Sequence, residues 1–143
     1  MIHPGAVAIL PILADGRILL VRQYRHAIGA ELLEIPAGKL DVEGESPQEC
    51  AARELREETG YEASGWEELL TFYTSPGFTN EAVTLFRAHD LREVGPATPG
   101  EIEAVKRVAP TELHRMIAAG EIIDGKTIIA SRFCRSGTTE AVR

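Results

Sequence analysis

At 143 residues, with 44% apolar content and two cysteines, the chain is long enough to fold around a real core without a disulfide scaffold. A net charge of −7 argues against a nucleic-acid backbone binder, which needs basic surface, but leaves room for a phosphorylated substrate whose charge is met by metal ions. No apolar run approaches the ~20 residues of a membrane-spanning helix, and the N-terminal MIHPGAVAIL lacks the basic region of a signal peptide, so a cytoplasmic protein with residues 1–143 as a single domain is expected.

Residues 5–24 read as a β-hairpin: Ala6 to Leu13 is apolar, Asp15-Gly16 is a turn signal, and Ile18 to Val21 resumes the strand. Pro11 implies a sheet edge or a bulge. Arg22-Gln23-Tyr24-Arg25-His26 follows. Two arginines beside an aromatic suit a phosphate and a stacked base or ribose, and equally suit a polar strand end or a subunit contact. Glu31 to Ile35 reads as a short strand, ended by Pro36-Ala37-Gly38.

A glycine-containing loop then opens into the best-marked helix of the chain. Ser46 suits the N-cap, Pro47 the first helical position and Glu49 the capping-box acid, and Gly60 is a C-terminal stop. At about 100° per residue, Ala51, Ala52, Leu55 and Thr59 share a small apolar face suited to packing on a sheet. Glu54, Glu57 and Glu58 crowd an adjoining flank. Like charges at these spacings destabilise a helix by roughly 0.2–0.5 kcal/mol per pair, and Arg53 cannot neutralise all three. They form a solvated acidic face or a set of hard oxygen ligands for Mg²⁺ or Mn²⁺, and the glycine loop leading into them favours the second.

Beyond the helix, Trp66 to Thr74 reads as a strand, Ser75-Pro76-Gly77-Phe78 as a break, and Ala82 to His89 as another strand. Leu91 to Gly100 is a Gly- and Pro-containing loop that delivers Glu101-Ile102-Glu103 to a strand over Ala104 to Val108. Thr111 caps a helix running through Ala118 to Gly120, and Asp124 caps a last helix over Gly125 to Cys134; a frayed tail is expected after Ser136. Cys50 and Cys134 are expected to fill packing space. The four histidines, His3, His26, His89 and His114, form no ligand spacing. The order of elements predicts an α/β fold of α+β sandwich type with a mixed sheet.

The stretch from Gly38 to Tyr61, GKLDVEGESPQECAARELREETGY, resembles the box of the Nudix hydrolase family, G-x5-E-x7-R-E-U-x-E-E-x-G-U, where U is bulky and apolar. Gly38 opens it, Glu45 is the first acid, and Arg53 to Tyr61 complete it. Six residues rather than five separate Gly38 from Glu45, an insertion in a loop that tolerates one, and an aromatic ends the pattern. QYRH at 23–26, ELLEIPAGKLD at 31–41 and SPGF at 75–78 are similar to the family's ADP-ribose pyrophosphatase branch. Its members commonly dimerise through an extra N-terminal strand region; this chain begins too late to contain one, so a homodimer through the remaining sheet edge is expected, its geometry left open.

The resemblance implies a Nudix fold, with a mixed sheet packed between helices, and divalent-metal-dependent hydrolysis of ADP-ribose or a related nucleoside diphosphate to AMP and ribose 5-phosphate. It also implies two or more Mg²⁺ ions, or Mn²⁺, at Glu54 and Glu58 with the Ala37 carbonyl, and Glu57 close by. Arg53, paired with Glu45, would orient the carboxylates. Glu101 would be the base and Glu103 a metal contact, or the reverse, from a loop able to close over the site. Arg25 and Glu34 would touch substrate, joined by Arg22, Gln23 and Phe78. The alternatives are another Nudix substrate, a nucleotide sugar or an oxidised nucleoside triphosphate, and, less favoured, a module that binds a nucleotide without cleaving it.

Overall fold

In the computed structural model, which describes residues 3–134, the first strand feeds two cores at once. Strand β1 (Ala6–Pro11) is buried along its whole length. Side chains alternate across a strand. Ala6, Ala8 and Leu10 therefore enter one cluster while Val7 and Ile9 enter another. This explains the continuous apolar run at the start of the chain, which is the pattern of a strand covered on both faces.

Strand β2 (Ile18–Arg25) follows a tight turn in which Leu13 N–H donates to Arg17 O at 2.8 Å and Gly16 N–H to Leu13 O at 2.8 Å. The turn forms as the sequence predicts, but the hairpin does not. After a single bridge between Ile12 and Ile18 the strands part into different sheets. β2 is the centre of an antiparallel sheet, flanked by β3 (Ala30–Glu34) and by β7 (Ile102–Val108). β1 lies inside a mixed sheet between β4 (Ala37–Lys39), antiparallel, and β6 (Ala82–Glu93), parallel. Long strand β5 (Tyr61–Tyr73) closes that sheet against β6.

Pro11 is on an interior strand, but at a position where the side its nitrogen faces has no partner strand, a local edge. Ile12 N–H donates to Ala88 O of β6, and Ile9 N–H donates in the other direction to Pro36 O. The nitrogen of Pro11 falls on the Pro36 side beyond the reach of β4, so no ladder bond is lost. β5 begins five residues before Trp66 and β6 runs past His89, because the added length alternates outward and is joined by cross-strand pairs. Glu62 lies opposite Arg92, with Arg92 Nη2 2.9 Å from its carboxylate.

The box segment becomes helix α1 (Pro47–Thr59), which places Cys50, Ala51 and Leu55 on Val7, Ile9, Phe86 and Ala88. Trp66 packs at the border of this cluster, its ring perpendicular to Phe86 at 6.1 Å. The opposite face of β1 is covered by α2 (Pro110–Ala118) and α3 (Gly125–Ala130) through Leu113 and Ala130, and by Ile122 of the connection between them. The fold is therefore α/β, with a mixed sheet between helices. Pro110, not Thr111, opens α2, and no side chain caps it. Asp124 caps α3 as expected, but the helix shortens to Ala130 and ends in a 3₁₀ turn over Ser131–Phe133. Both cysteines are buried free thiols in separate clusters. The tail expected after Ser136 lies outside the described residues.

Candidate active site

Helix α1 is fixed at both ends before it presents any functional group. Ser46 Oγ accepts from Glu49 N–H at 3.1 Å, and Glu49 Oε1 accepts from Ser46 N–H at 2.9 Å, closing the capping box. Gly60 ends the helix with φ 78°, and a Cβ there would collide with the Gly95 carbonyl. The loop after β6 is tied to the same end: Val94 N–H donates to Gly60 O at 2.9 Å and Thr98 N–H to Glu57 O at 2.7 Å. The loop that carries Glu101 therefore starts from the end of the helix that carries the glutamates.

Arg53 sorts those glutamates. Its guanidinium grips Glu45 with Nε at 2.8 Å and Nη2 at 3.0 Å, and its Nη1 reaches Glu57 at 3.3 Å and Glu54 at 3.3 Å. Glu57 is drawn outward toward Arg53 and its side chain is 44% exposed. Glu54 and Glu58 turn the other way, into a cavity of about 710 Å³ beside Ala37 and Gly38. A Cβ at Gly38 would overlap the Glu54 carboxyl group, so only glycine lets this carboxylate lie against the strand. Burial raises the Glu54 carboxyl, and Glu57 adds to the rise against the pull of Arg53. Burial, then the charge of Glu54, pushes Glu58 up to about 8, although Ala37 N–H donates to its Oε1 at 3.4 Å.

The cavity floor crosses the mixed sheet through Ala6, Val83 and Phe72, which pair in register. The opposite wall comes from β2, the Glu101 loop and α3. Gln23 Nε2 donates to Glu101 Oε1 at 3.1 Å. Arg25 lines the cavity while its Nε and Nη2 donate to the two oxygens of Glu34 at 2.8 and 2.7 Å. Glu34 is only 1% exposed and lies behind the wall. Burial pushes its carboxyl up, but Arg25 and Lys126 outweigh this and leave it below the usual range.

The structure thus gathers Ala37, Glu54, Glu58, Gln23, Arg25 and Glu101 around one cavity. It does not bring Glu57, Arg53, Arg22, Glu34, Glu103 or Phe78 to that lining. Arg22 faces Glu31 at 4.0 Å. Glu31 beside Glu103 raises its carboxyl, and Glu103 lines a smaller cavity of about 350 Å³ with Tyr24 and His26. Phe78 is 69% exposed on the turn between β5 and β6. Lys126 and Asp124 line the main cavity but went unread as site residues, because they reach it only through the packing of α3 against β3. Asp124 was legible as a cap; nothing marked Lys126.

A family model for the NUDIX domain matches residues 1–129. The chain belongs to the Nudix family. It is 40% identical over 134 residues to an ADP-ribose pyrophosphatase of Bacillus subtilis, covering 92% of this chain and 72% of that one. It is 45% identical over 129 residues to an ADP-ribose pyrophosphatase of Mycobacterium tuberculosis, covering 88% and 62%. A crystal structure of an ADP compounds hydrolase superposes with a TM-score of 0.78 at 25% identity, over 89% of this chain and 68% of that one.

The donor set of this Nudix site suits a hard divalent cation. Glu54 and Glu58 offer carboxylate oxygens beside Ala37, and Gly38 leaves room for the Glu54 carboxyl group. Asp41, Glu101 and Asp124 add negative charge to the lining, against Arg25, Lys39 and Lys126. Among the described residues no three acidic, His or Cys side chains already stand as a closed ligand set. Glu58, raised by burial and then by Glu54, is the group that a cation would most relieve.

Proposed function

We propose that this chain hydrolyses the diphosphate bond of ADP-ribose, or of a closely related nucleoside diphosphate derivative, to AMP and ribose 5-phosphate. The observation that carries the reading is the meeting of Glu54 and Glu58, beside Ala37, with Arg25, Gln23 and Glu101 across one cavity. Mg²⁺ or Mn²⁺, with two or more ions per site, is the proposed cofactor; when bound it neutralises phosphate oxygens and acidifies a bound water. Glu54, Glu58 and the Ala37 carbonyl would hold it. Glu101 is the proposed base. Gln23 bonds one of its oxygens and leaves the other to take a proton from water. Arg25 meets the diphosphate with the guanidinium edge that Glu34 does not occupy. Arg53 and Glu57 order the helix side, and Glu103, beside Glu31, has no part in this assignment. A cytoplasmic homodimer completes the proposal; exposed Ile28, Phe78 and Ile123 are apolar surface that a second copy would cover, and sedimentation at micromolar concentration tests it.

The test is a panel of ADP-ribose, nucleotide sugars and nucleoside triphosphates with Mg²⁺, read by product. The expected outcome is AMP with ribose 5-phosphate from ADP-ribose. Pyrophosphate released from a triphosphate, with ADP-ribose intact, would assign the site to another Nudix substrate.

A further inference from the structure

Glu34 presents a problem that Arg25 alone does not solve. Its carboxylate is 1% exposed, whereas the Arg25 side chain is 41% exposed and shares its charge with solvent. An ionised carboxylate so deeply buried is costly unless its charge is matched nearby. The match comes from Lys126, 92 residues away, whose Nζ lies 2.7 Å from Glu34 Oε1. The same Nζ lies 3.1 and 3.2 Å from the two oxygens of Asp124. Asp124 Oδ2 in turn accepts from Thr127 N–H at 3.1 Å and Thr127 Oγ1–H at 2.6 Å, and Thr127 Oγ1 accepts from Ile35 N–H at 2.9 Å.

We propose that Lys126 is a positioning residue that aims Arg25 through Glu34, and that it does not itself grip the substrate. Among the described residues, the acceptors on its ammonium are carboxylate oxygens of the wall, so its charge is spent there although it lines the cavity. Arg25 has the complementary arrangement. Nε and Nη2 are committed to Glu34, which fixes the guanidinium plane, and its Nη1 edge bonds no described residue. A planar fork held on one edge presents its other edge at a fixed angle, the arrangement for taking a phosphate oxygen. Asp124 and Thr127 tie this device to β3, so the start of α3 and the arginine move as one unit.

The inference rests on the hydrolytic reading, and its test separates the two. Steady-state kinetics with Mg²⁺ and ADP-ribose are compared for the parent, Lys126→Met, Arg25→Ala and the double variant. Lys126→Met is expected to raise KM about tenfold with kcat changed less than about twofold, the signature of lost binding. In the Arg25→Ala background the same replacement should add less than about twofold, because its effect runs through Arg25. Lys126→Arg should recover part of the loss. A full tenfold rise in the double variant would mean that Lys126 meets substrate directly and would overturn the proposal. The Nε–H resonance of Arg25 needs no substrate. It should be shifted and slow to exchange in the parent, and lose both properties in Lys126→Met and Glu34→Gln. An unchanged resonance and KM alongside a lower melting temperature would reduce Lys126 to a structural ion pair. A parent that cleaves no nucleoside diphosphate derivative would defeat the functional reading, while the resonance would still decide the role of Lys126.

Discussion

Two arginine–glutamate forks serve the two sides of the cavity, and they are built by different means. Arg53 and Glu45 lie eight residues apart on α1 and the loop before it, and one arginine holds its glutamate below the usual carboxylate range. Arg25 and Glu34 are nearly as close in sequence, at nine residues, on neighbouring strands. Yet Glu34 is buried and takes a second cation from α3. The half-buried fork beside the helix needs only nearby sequence. The buried one needs the tertiary fold, because desolvation makes a single half-exposed arginine an insufficient partner.

The comparison breaks first on the helix side. Glu58→Gln or Glu54→Gln should leave the fold intact and lower turnover by more than the roughly 10–100-fold typical of losing a partner behind a metal ligand. Hydrolysis at the parental rate would remove both from the site. Gly38→Ala is expected to cost about tenfold in metal affinity, since the added Cβ displaces only the flexible end of Glu54 and the backbone need not move. Its melting temperature should stay close to that of the parent, and a large fall would locate the strain in β4 instead.

Proton linkage sharpens the same contrast. The Glu58 carboxyl rises from 4.5 to about 8 on folding, so the native state holds an extra proton between those values. That stability is fully present below pH 4.5 and is lost as pH rises through 8. Metal-free protein should therefore lose on the order of 3 kcal/mol from this group between pH 5 and 8, and millimolar Mg²⁺ should flatten the slope. Chemical denaturation at several pH values, with and without Mg²⁺, measures both. Last and smallest, Ser46→Ala should destabilise the protein by about 1 kcal/mol through the lost cap, with KM unchanged. A changed KM would tie the cap to the cavity.

What the sequence made legible divides along the same line. The capping box and the Gly60 stop are readable because each depends on residues within one helical turn, whereas the pairing of Arg53 with Glu45 comes only with the family resemblance. The apolar run of β1 is readable as buried, but not its separation from β2, since Asp15-Gly16 encodes a turn and not the divergence of two sheets beyond it. Glu34 lies in the expected segment, yet its position behind the wall follows from strand alternation in β3 and the packing of α3. Lys126 carried no signal because the partner that fixes its role, Glu34, lies 92 residues away on β3. Glu101 and Glu103 show the limit of spacing. Two residues apart near the start of β7, only Glu101 lines the main cavity.

The most direct test of the central claim is calorimetric titration of Mg²⁺ or Mn²⁺ into the parent protein and into Glu54→Gln,Glu58→Gln, without substrate. The account predicts saturable binding at millimolar or lower concentration in the parent, stronger at pH 8.5 than at pH 6.5 because binding must displace the Glu58 proton, and its loss in the double variant. A parent that binds neither ion, or a double variant that binds them as well as the parent, would contradict it.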